Sequence, residues 1–280
     1  MIISIHMNAI KRRWMIFLNR METGIMETAL IVLNYNDYKT TEAFLNNIKN
    51  ITVIDKVVVV DNCSTDESFE KLKQYEGEKI DVIQTSKNEG YANGNNYGVF
   101  YAVNKYMPEY IMIANPDIEL NEKAVRAIID FYKEHDEKTG IVSCKMICTS
   151  DIKIREAWKL PRYSDCIMEN LIVLNSLLGA RGTTYPSGYF NGKYTQADVV
   201  AGSFFAIKAD VFMSIKQFDT RTFLYGEENI LAYKLKQKGF KNYILNDYSY
   251  VHNHSVSINK NIKSIGCLLY TSPSPRDGAT

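Results

Sequence analysis

The feature that most constrains the fold is a regular alternation, from residue 27 onward, of short apolar runs with segments of helical apolar spacing. Each run holds about four to six continuous apolar residues, which is typical of strands buried on both faces of a sheet. Strands separated by helices pair in parallel through right-handed crossovers. The sequence therefore predicts an α/β fold with an open, mostly parallel, doubly wound sheet, whose first five strands lie within residues 28–36, 57–60, 79–86, 110–117 and 141–148.

Composition narrows the class of protein. The chain has 280 residues, enough for one large α/β domain or two small ones, and a formal net charge of +1. That charge provides no field that would favour nucleic acid. The five cysteines form no Cys-x-x-Cys pair, which indicates a reducing, cytoplasmic compartment. Since no run reaches 18 apolar residues, we expect no segment that spans a bilayer.

The chain divides into four predicted parts. Residues 27–150 form a first half with the regular alternation of strands and helices, and residues 151–258 form a second half. Residues 1–26 are an N-terminal extension, either a basic arm that touches membrane or a segment ahead of a true start at a later methionine such as Met26; we favour the second. Residues 259–280 are a tail, in which residues 267–277 (CLLYTSPSPRD) resemble a translated sequencing adapter, so we expect the gene to be truncated near Gly266.

Polar side chains stand where three of the predicted strands end. Ligands of an open parallel sheet bind at the carboxyl ends of the strands, so these side chains are candidates for a binding site. Asparagine and aspartate also favour ordinary turns, which accounts for any one of the three strand ends taken alone. Their recurrence on three strands favours a site. The residues concerned are Asn34 and Asn36, Asp61 and Asn62, and Asn115 and Asp117.

The stretch YIMIANPDIEL, residues 110–120, shows how one strand end is defined. Pro116 has no N–H group and cannot continue a central ladder, so the strand must stop before it. Asp117 is thereby placed at the rim of the sheet, with Glu119 nearby. Carboxylate oxygens in such a position suit Mg²⁺ or Mn²⁺.

Seven motifs in order resemble those of glycosyltransferase family 2, most of all its bacterial rhamnosyltransferase-like branch that builds surface polysaccharide. They cover roughly residues 28–258 and read ALIVLNYN, VVVVDNCSTD, NEGYANGNNYG, ANPD, VVAGSFFAIKADVF, FDTRTFLYGEEN and YVHNHSVS. Each motif alone is weak, whereas the ordered set is specific. The resemblance implies a GT-A fold, a nucleotide-sugar donor, a divalent metal (Mn²⁺ or Mg²⁺) and inversion at the anomeric carbon. It also implies that residues 27–150 are a nucleotide-binding half, that residues 151–258 are a half for the donor sugar and the acceptor, and that the protein contacts the inner face of the cell membrane peripherally.

The resemblance also implies roles for individual residues on the donor side. The nucleotide would be bound by two strand ends that hold base and ribose, by a loop spanning residues 88–94, and by the asparagine of NPD, which replaces the first aspartate of the family's Asp-x-Asp motif. The AGSFF segment would line the pocket of the donor sugar. The residues are Asn34, Asn36, Asp61, Asn88, Gly90, Asn93 and Asn115 for the nucleotide, and Gly202 and Ser203 for the sugar.

The same resemblance also implies which residues bind the metal and which residue acts as the general base. Asp117 would be the retained metal ligand and His252 the late histidine that completes the site, with His254 as the fallback. The base is the pair Glu227–Glu228, and Glu228 falls at the base position with one methylene more than the usual aspartate. A carboxylate there would take the proton of the acceptor hydroxyl. Two acids would also be favourable at a helix N-terminus without any catalytic role.

Two other functions fit parts of the pattern. A sugar-nucleotide nucleotidyltransferase would need a glycine-rich, basic loop after the first strand, where this chain reads NYNDYKT. A non-catalytic nucleotide-sugar-binding protein would explain the replaced acids, but the retention of Asp117, Glu228 and His252 argues against it. The expected partners are a dTDP- or UDP-sugar donor and a saccharide or lipid-linked acceptor, without nucleic acid.

Overall fold

The computed structural model of the protein describes residues 27–135, 138–149, 155–161, 183–224 and 226–253. The predictions made for residues 1–26, for the tail and for His254 lie outside these ranges. Eleven strands and six helices are found within them. The strands are β1 (Thr28–Asn34), β2 (Lys56–Asp61), β3 (Ile80–Gln84), β4 (Tyr110–Ala114), β5 (Ile118–Glu119), β6 (Thr139–Cys148), β7 (Ala157–Trp158), β8 (Tyr194–Ala197), β9 (Val199–Val200), β10 (Phe204–Lys208) and β11 (Lys241–His252).

The helices alternate with the early strands as the sequence predicts. They are α1 (Tyr38–Ile48), α2 (Ser68–Lys73), α3 (Tyr91–Lys105), α4 (Glu122–Glu134), α5 (Ala209–Ser214) and α6 (Glu227–Gln237). Among the described residues, none of these helices is both long enough and apolar enough to cross a membrane.

A nine-stranded sheet forms the centre of the molecule, in the order β3-β2-β1-β4-β10-β6-β11-β5, with β8 paired to β11. β3, β2, β1 and β4 are all parallel, as expected for strands joined by helical crossovers. β10 runs antiparallel to both of its neighbours, β4 and β6. The sheet therefore consists of a parallel half and a mixed half, and the predicted α/β fold with a large open sheet is confirmed.

Burial on both faces of the sheet explains the continuous apolar runs. In β1, Leu30 and Val32 belong to the core beneath α1 and α4, whereas Ala29 and Ile31 belong to the core beneath α3, α5 and α6. Successive strand side chains point to opposite faces, so a strand covered on both sides has no position for an exposed polar residue. Polar residues are consequently confined to the strand ends.

The order of the strands mixes the two predicted halves of the chain. β10, from the second half, inserts between β4 and β6 of the first half, and β11 pairs in parallel with β6 along most of its length. A small second sheet of β7 and β9 connects the segment around residue 157 to the residues that lead into β10. This arrangement places residues from both halves along one edge of the sheet.

Candidate active site

The ends of β1, β2 and β3 are joined by a buried set of hydrogen bonds. Asn34 lies opposite Asp61, and Asp61 opposite Gln84, in the parallel register. The Asp61 carboxylate accepts from Asn34 Nδ2 at 2.9 Å and from Gln84 Nε2 at 3.0 Å, and also from the backbone N–H (2.9 Å) and hydroxyl (2.6 Å) of Ser64. Because Asn34 is 1% exposed and Asp61 0%, this carboxylate holds the strand ends together from inside.

Asn36 lies on the outer side of this set. Its backbone adopts a φ of 51°, a left-handed conformation that asparagine tolerates better than most residues. Its N–H donates to Ser64 Oγ at 2.9 Å, and its Oδ1 accepts from the Thr65 N–H at 2.8 Å. The loop after β1 is thus fixed to the loop after β2, and Ser64 joins Asp61 to Asn36.

A second connection joins Asp61's neighbour, Asn62, to the loop before α3. Asn62 Nδ2 donates to Asn88 Oδ1 at 2.9 Å and to the Gly90 carbonyl at 3.3 Å. Gly90 has a φ of 91°, and a Cβ atom there would lie 2.1 Å from the carbonyl oxygen of Phe223. Glycine is therefore required at this position, and the structure brings Asn88 and Gly90 to the carboxyl ends of the strands.

Asn93 is placed differently from the sequence prediction. The predicted loop over residues 88–94 ends at Gly90, and Asn93 lies in the first turn of α3. Its Nδ2 donates to the Glu89 carbonyl at 3.0 Å and to the Thr220 carbonyl at 3.4 Å. Asn93 therefore contacts the segment around residue 220 rather than the strand-end residues Asn34 and Asp61.

The metal pair predicted from the sequence is brought together by a short antiparallel pairing. β4 ends at Ala114, ahead of Pro116, as predicted. β5 then pairs with the end of β11, where Ile118 lies opposite His252, and the Asn253 N–H donates to the Asp117 carbonyl at 2.8 Å. His252 Nε2 lies 3.4 Å from Asp117 Oδ1, and these two side chains are 8% and 13% exposed.

This pair is compatible with a divalent cation. Two ligands of an octahedral ion bound at roughly 2.1 Å lie about 3 Å apart, close to the observed separation of Nε2 and Oδ1. Oδ1 of Asp117 is buried and has no hydrogen-bond partner among the described residues. The same part of the chain contains no group of three or more His, Cys, Asp or Glu residues that could hold a metal. A cation here would complete its coordination with water and substrate phosphate, as Mg²⁺ commonly does.

Asn115 and Ser203 connect the metal pair to the start of β10. The Asn115 N–H donates to the Ser203 carbonyl at 2.8 Å. The Ser203 hydroxyl lies 2.8 Å from the hydroxyl of Tyr250 in β11. Ser203 is 6% exposed, so its side chain is engaged in joining β10 to β11.

Gly202 lies between two side chains that come from distant parts of the sequence. The Tyr91 hydroxyl donates to the Gly202 carbonyl at 2.9 Å. On its other side, a Cβ atom built on Gly202 would lie 2.8 Å from Oε1 of Glu228. The absence of a side chain at position 202 therefore lets the Glu228 carboxylate approach the strand end.

The two glutamates that open α6 have different environments. Glu227 is buried, with 3% exposure, whereas Glu228 is partly exposed. Burial raises the pKa of Glu228, while hydrogen bonds from the backbone of Glu228 itself and of Gly202 act in the opposite direction. Glu228 is thus the more exposed residue of the pair, and its pKa is raised above the ordinary value for a glutamate.

Tyr91 shows that the predicted acids converge. Burial raises the pKa of Tyr91, and the charges of Glu228, Glu227 and Asp117 raise it further. Asp117 lies between β4 and β5 and the two glutamates open α6, so these acids are far apart in the sequence, yet their charges all act on one hydroxyl. Together with burial they keep Tyr91 a neutral donor.

Sequence reasoning overlooked Ser64, Tyr91 and Trp158. Ser64 belongs to the motif that contains Asp61, so its position in DNCSTD could have indicated it. Tyr91 follows the predicted loop directly. Trp158, whose Nε1–H donates to Asn229 Oδ1 at 2.8 Å, had no local signal, because the contact joins residues 71 positions apart.

Comparison with known protein families gives one match over most of the chain. The family model described as "Glycosyl transferase family 2" matches residues 29–215. This range contains β1 to β10, including the buried strand ends and the Asp117 segment, and it stops before α6 and β11.

Two curated relatives and one solved structure illustrate the similarity. The chain is 25% identical over 78% of its length to the low-salt glycan biosynthesis hexosyltransferase Agl10 of Haloferax volcanii, of which it spans 64%. It is 23% identical over 80% of its length to the rhamnosyltransferase WbbL of Escherichia coli K12, spanning 82% of it. The crystal structure of GalNAc-T7 with UDP, GalNAc and Mn²⁺ is similar in fold, with a TM-score of 0.63 at 14% identity over 84% of this chain and 45% of that one.

Proposed function

The chain belongs to glycosyltransferase family 2, and from this premise we propose that it transfers a sugar from a nucleoside-diphosphate sugar to a saccharide hydroxyl with inversion at the anomeric carbon. The observation that carries the proposal is the position of Glu228. The residue is partly exposed, its carboxylate lies against Gly202, and its charge raises the pKa of Tyr91 together with that of Asp117.

Glu228 is the proposed general base. An inverting transfer is a single displacement, in which the acceptor oxygen attacks the anomeric carbon as the bond to the nucleoside diphosphate breaks. The Glu228 carboxylate takes the proton of the attacking hydroxyl, and a pKa raised by burial makes it a stronger base than an exposed glutamate. Hydrogen bonds from the backbone of Gly202 hold the carboxylate in a fixed orientation.

Asp117 and His252 are the proposed ligands of Mn²⁺ or Mg²⁺. A divalent cation bound there supplies positive charge that stabilises the departing diphosphate. Both residues are fixed by the antiparallel pairing of β5 with β11, so their separation does not depend on the substrate. The similar GalNAc-T7 structure contains UDP and Mn²⁺, which supports a metal for the proposed site without assigning one.

The nucleotide is proposed to lie along the carboxyl ends of β1 to β4. Asn34 and Asp61 are bonded to each other and buried, so their contribution is to hold the two strand-end loops in place. Asn36, Asn88 and Asn115 lie at the outer ends of the same elements and are the proposed contacts for base, ribose or phosphate. Gly202 and Ser203 are proposed to border the donor sugar.

Donor and acceptor are proposed on chemical grounds and by similarity. One relative is named a rhamnosyltransferase, so a dTDP- or UDP-sugar is the proposed donor and dTDP-rhamnose the first to test. The acceptor is proposed to be a polysaccharide or lipid-linked saccharide met at the inner face of a bacterial cell membrane.

Thermal stabilisation tests the donor site directly. The melting temperature is measured with UDP, dTDP and GDP, each with and without Mn²⁺. A ligand at 100 times its dissociation constant adds about 2.7 kcal/mol of stability, which is visible as a shift in melting temperature. We expect one nucleotide to stabilise the protein only with metal, and we expect Asp117→Ala to abolish the shift. Asp130→Ala, on the exposed face of α4, is the matched control and should retain it. A protein that no nucleotide stabilises would contradict the proposal.

Turnover separates an enzyme from a protein that only binds nucleotide sugars. With the donor found by thermal stabilisation, release of free nucleoside diphosphate is followed with and without an acceptor. Glu228→Gln should bind the donor as the parent does and release diphosphate 10²–10⁴-fold more slowly, a range typical of loss of a general base. Equal rates in the parent and the variant would exclude Glu228 as the base.

A further inference from the structure

The segment around Trp158 reaches the candidate active site from outside the core of the main sheet. Trp158 pairs with Val199 in the small sheet of β7 and β9, and the Ala201 N–H donates to the Glu156 carbonyl at 2.9 Å. This ladder ends one residue before Gly202, the residue that contacts Glu228. The backbone pairing therefore brings Trp158 to the same strand end as the proposed base.

The orientation of the indole follows from two observations. Ala157 is 5% exposed and belongs to the core, so the alternation of side chains along a strand directs Trp158 to the opposite side. The Trp158 Nε1–H donates at 2.8 Å to Oδ1 of Asn229, the residue that follows Glu228 in the first turn of α6. The polar edge of the ring is satisfied within the protein, and the residue remains partly exposed.

On the basis of the proposed function, we infer that Trp158 forms an aromatic platform for the acceptor, stacking against the apolar face of a pyranose ring whose hydroxyl is presented to Glu228. Saccharide rings carry patches of C–H groups that pack on aromatic faces, and ligand sites are commonly lined by aromatic side chains with a few placed polar groups. An indole held by Asn229 keeps its position without the acceptor, which lowers the entropic cost of binding. Since the ring is fixed to the element that carries the base, the platform and the base move together.

Fluorescence gives a direct test of acceptor binding at this ring. The chain contains two tryptophans, Trp14 and Trp158, so Trp14→Phe leaves Trp158 as the only indole. This variant, saturated with nucleoside diphosphate and Mn²⁺, is titrated with the methyl glycosides of rhamnose, glucose, galactose and N-acetylglucosamine. We expect a saturable change in emission with at least one of them. An emission spectrum that none of the four alters would overturn the inference.

Kinetics separate failure of this inference from failure of the proposed function. Hydrolysis of the donor in water reports the donor site and the base, whereas transfer to the glycoside adds the acceptor. For Trp158→Ala we expect an acceptor KM raised about tenfold, a typical effect of truncating an aromatic anchor, with the hydrolysis rate and the nucleotide-induced melting shift unchanged. Trp158→Phe keeps a ring and should lie within about threefold of the parent in acceptor KM.

Tyr233→Ala is the matched control, because Tyr233 is an exposed aromatic residue on the same helix as Asn229. It should leave both hydrolysis and acceptor KM unchanged. If the parent hydrolyses donor and Trp158→Ala uses the acceptor as well as the parent, the platform is wrong while the proposed function stands. If the parent neither binds nor hydrolyses any nucleotide sugar, the proposed function fails, and the inference fails with it.

Discussion

Gly202 and Glu228 lie so close that a single methyl group on Gly202 would stand 2.8 Å from Oε1 of Glu228, 3.3 Å from its Cγ and 3.4 Å from its Cδ. The contact joins the start of β10 to the start of α6. Any side chain larger than hydrogen at position 202 would therefore displace the carboxylate of the proposed base.

Gly202→Ala should therefore reduce catalysis more than stability. The atom that must give way is the end of a flexible side chain, so the fold can accommodate the methyl group while the carboxylate moves. A misplacement of about 1 Å can cost about 10²-fold in rate. We expect kcat to fall at least about tenfold with a melting temperature close to that of the parent. Gly77→Ala, whose added methyl group meets no atom within 4 Å, is the control and should leave kcat unchanged. Full activity in Gly202→Ala would contradict the proposed position of the base.

The pKa of Glu228 predicts the pH dependence of the reaction. A general base works when it is deprotonated, and burial raises the pKa of Glu228 above the ordinary value for a glutamate. The acidic limb of kcat/KM should therefore fall at a pH above about 4.3, the pKa of an unperturbed glutamate. Glu134→Gln, at an exposed position of α4, should leave the profile unchanged. A rate that stays constant down to pH 4.3 would exclude this carboxyl as the base.

The same pKa shift predicts that Glu228→Gln loses activity without losing stability. A group whose pKa is raised on folding contributes stability that is fully present below its unfolded pKa and is lost as the pH rises through its folded pKa. Above its folded pKa, Glu228 is ionised, and burial of that charge disfavours the folded state. Glu228→Gln should thus unfold at the same urea concentration as the parent or a higher one at pH 7.5, while its activity is lost. A clear loss of stability would indicate that the carboxylate is needed for folding.

His252 provides a second test of the proposed metal site. It is held opposite Ile118 at the end of β11, with Nε2 3.4 Å from Oδ1 of Asp117. His252→Ala should raise the Mn²⁺ concentration needed for half-maximal activity by at least 10-fold, the lower end of the effects seen even for residues that only support metal ligands. His135, which stacks on Phe131 at the end of α4, is the control histidine. An unchanged Mn²⁺ requirement in His252→Ala would remove it from the metal site.

The parts of the structure that could be predicted are those determined by short-range pattern. Apolar runs such as Val57–Val60 locate the parallel strands because both faces of each strand must be buried. Pro116 locates the end of β4 because it cannot extend the ladder. Once four parallel strands are predicted, the clustering of Asn34 and Asp61 at one edge follows from topology alone.

The parts that escaped prediction depend on contacts between distant segments. Insertion of β10 between β4 and β6 is invisible in the local pattern, since β10 is as apolar as a parallel strand. The family resemblance placed Asn93 in a loop over residues 88–94, whereas the helix α3 begins at Tyr91 and Asn93 contacts the Thr220 carbonyl. The pairing of Asp117 with His252 was expected from family resemblance, and no spacing rule predicts it across 135 residues.

Asp61 offers a final prediction, one that separates its buried role from direct contact with the nucleotide. Its carboxylate accepts four hydrogen bonds, two of them from Ser64 and the others from Asn34 and Gln84, and all four are donated towards it. In Asp61→Asn, the amide NH₂ group would face two of these donors, so at least two hydrogen bonds to a buried charge are lost. We expect a loss of about 3 kcal/mol in the free energy of unfolding, measured in urea.

Glu67→Gln makes the same chemical change at an exposed position six residues further on and should be within about 0.5 kcal/mol of the parent. If the only role of Asp61 were to contact the base, Asp61→Asn would lose nucleotide binding and keep its stability. The buried network instead predicts that Asp61→Asn unfolds at a lower urea concentration than the parent. The nucleotide-induced melting shift should also weaken, because the loops that carry Asn36 and Ser64 are no longer held in place.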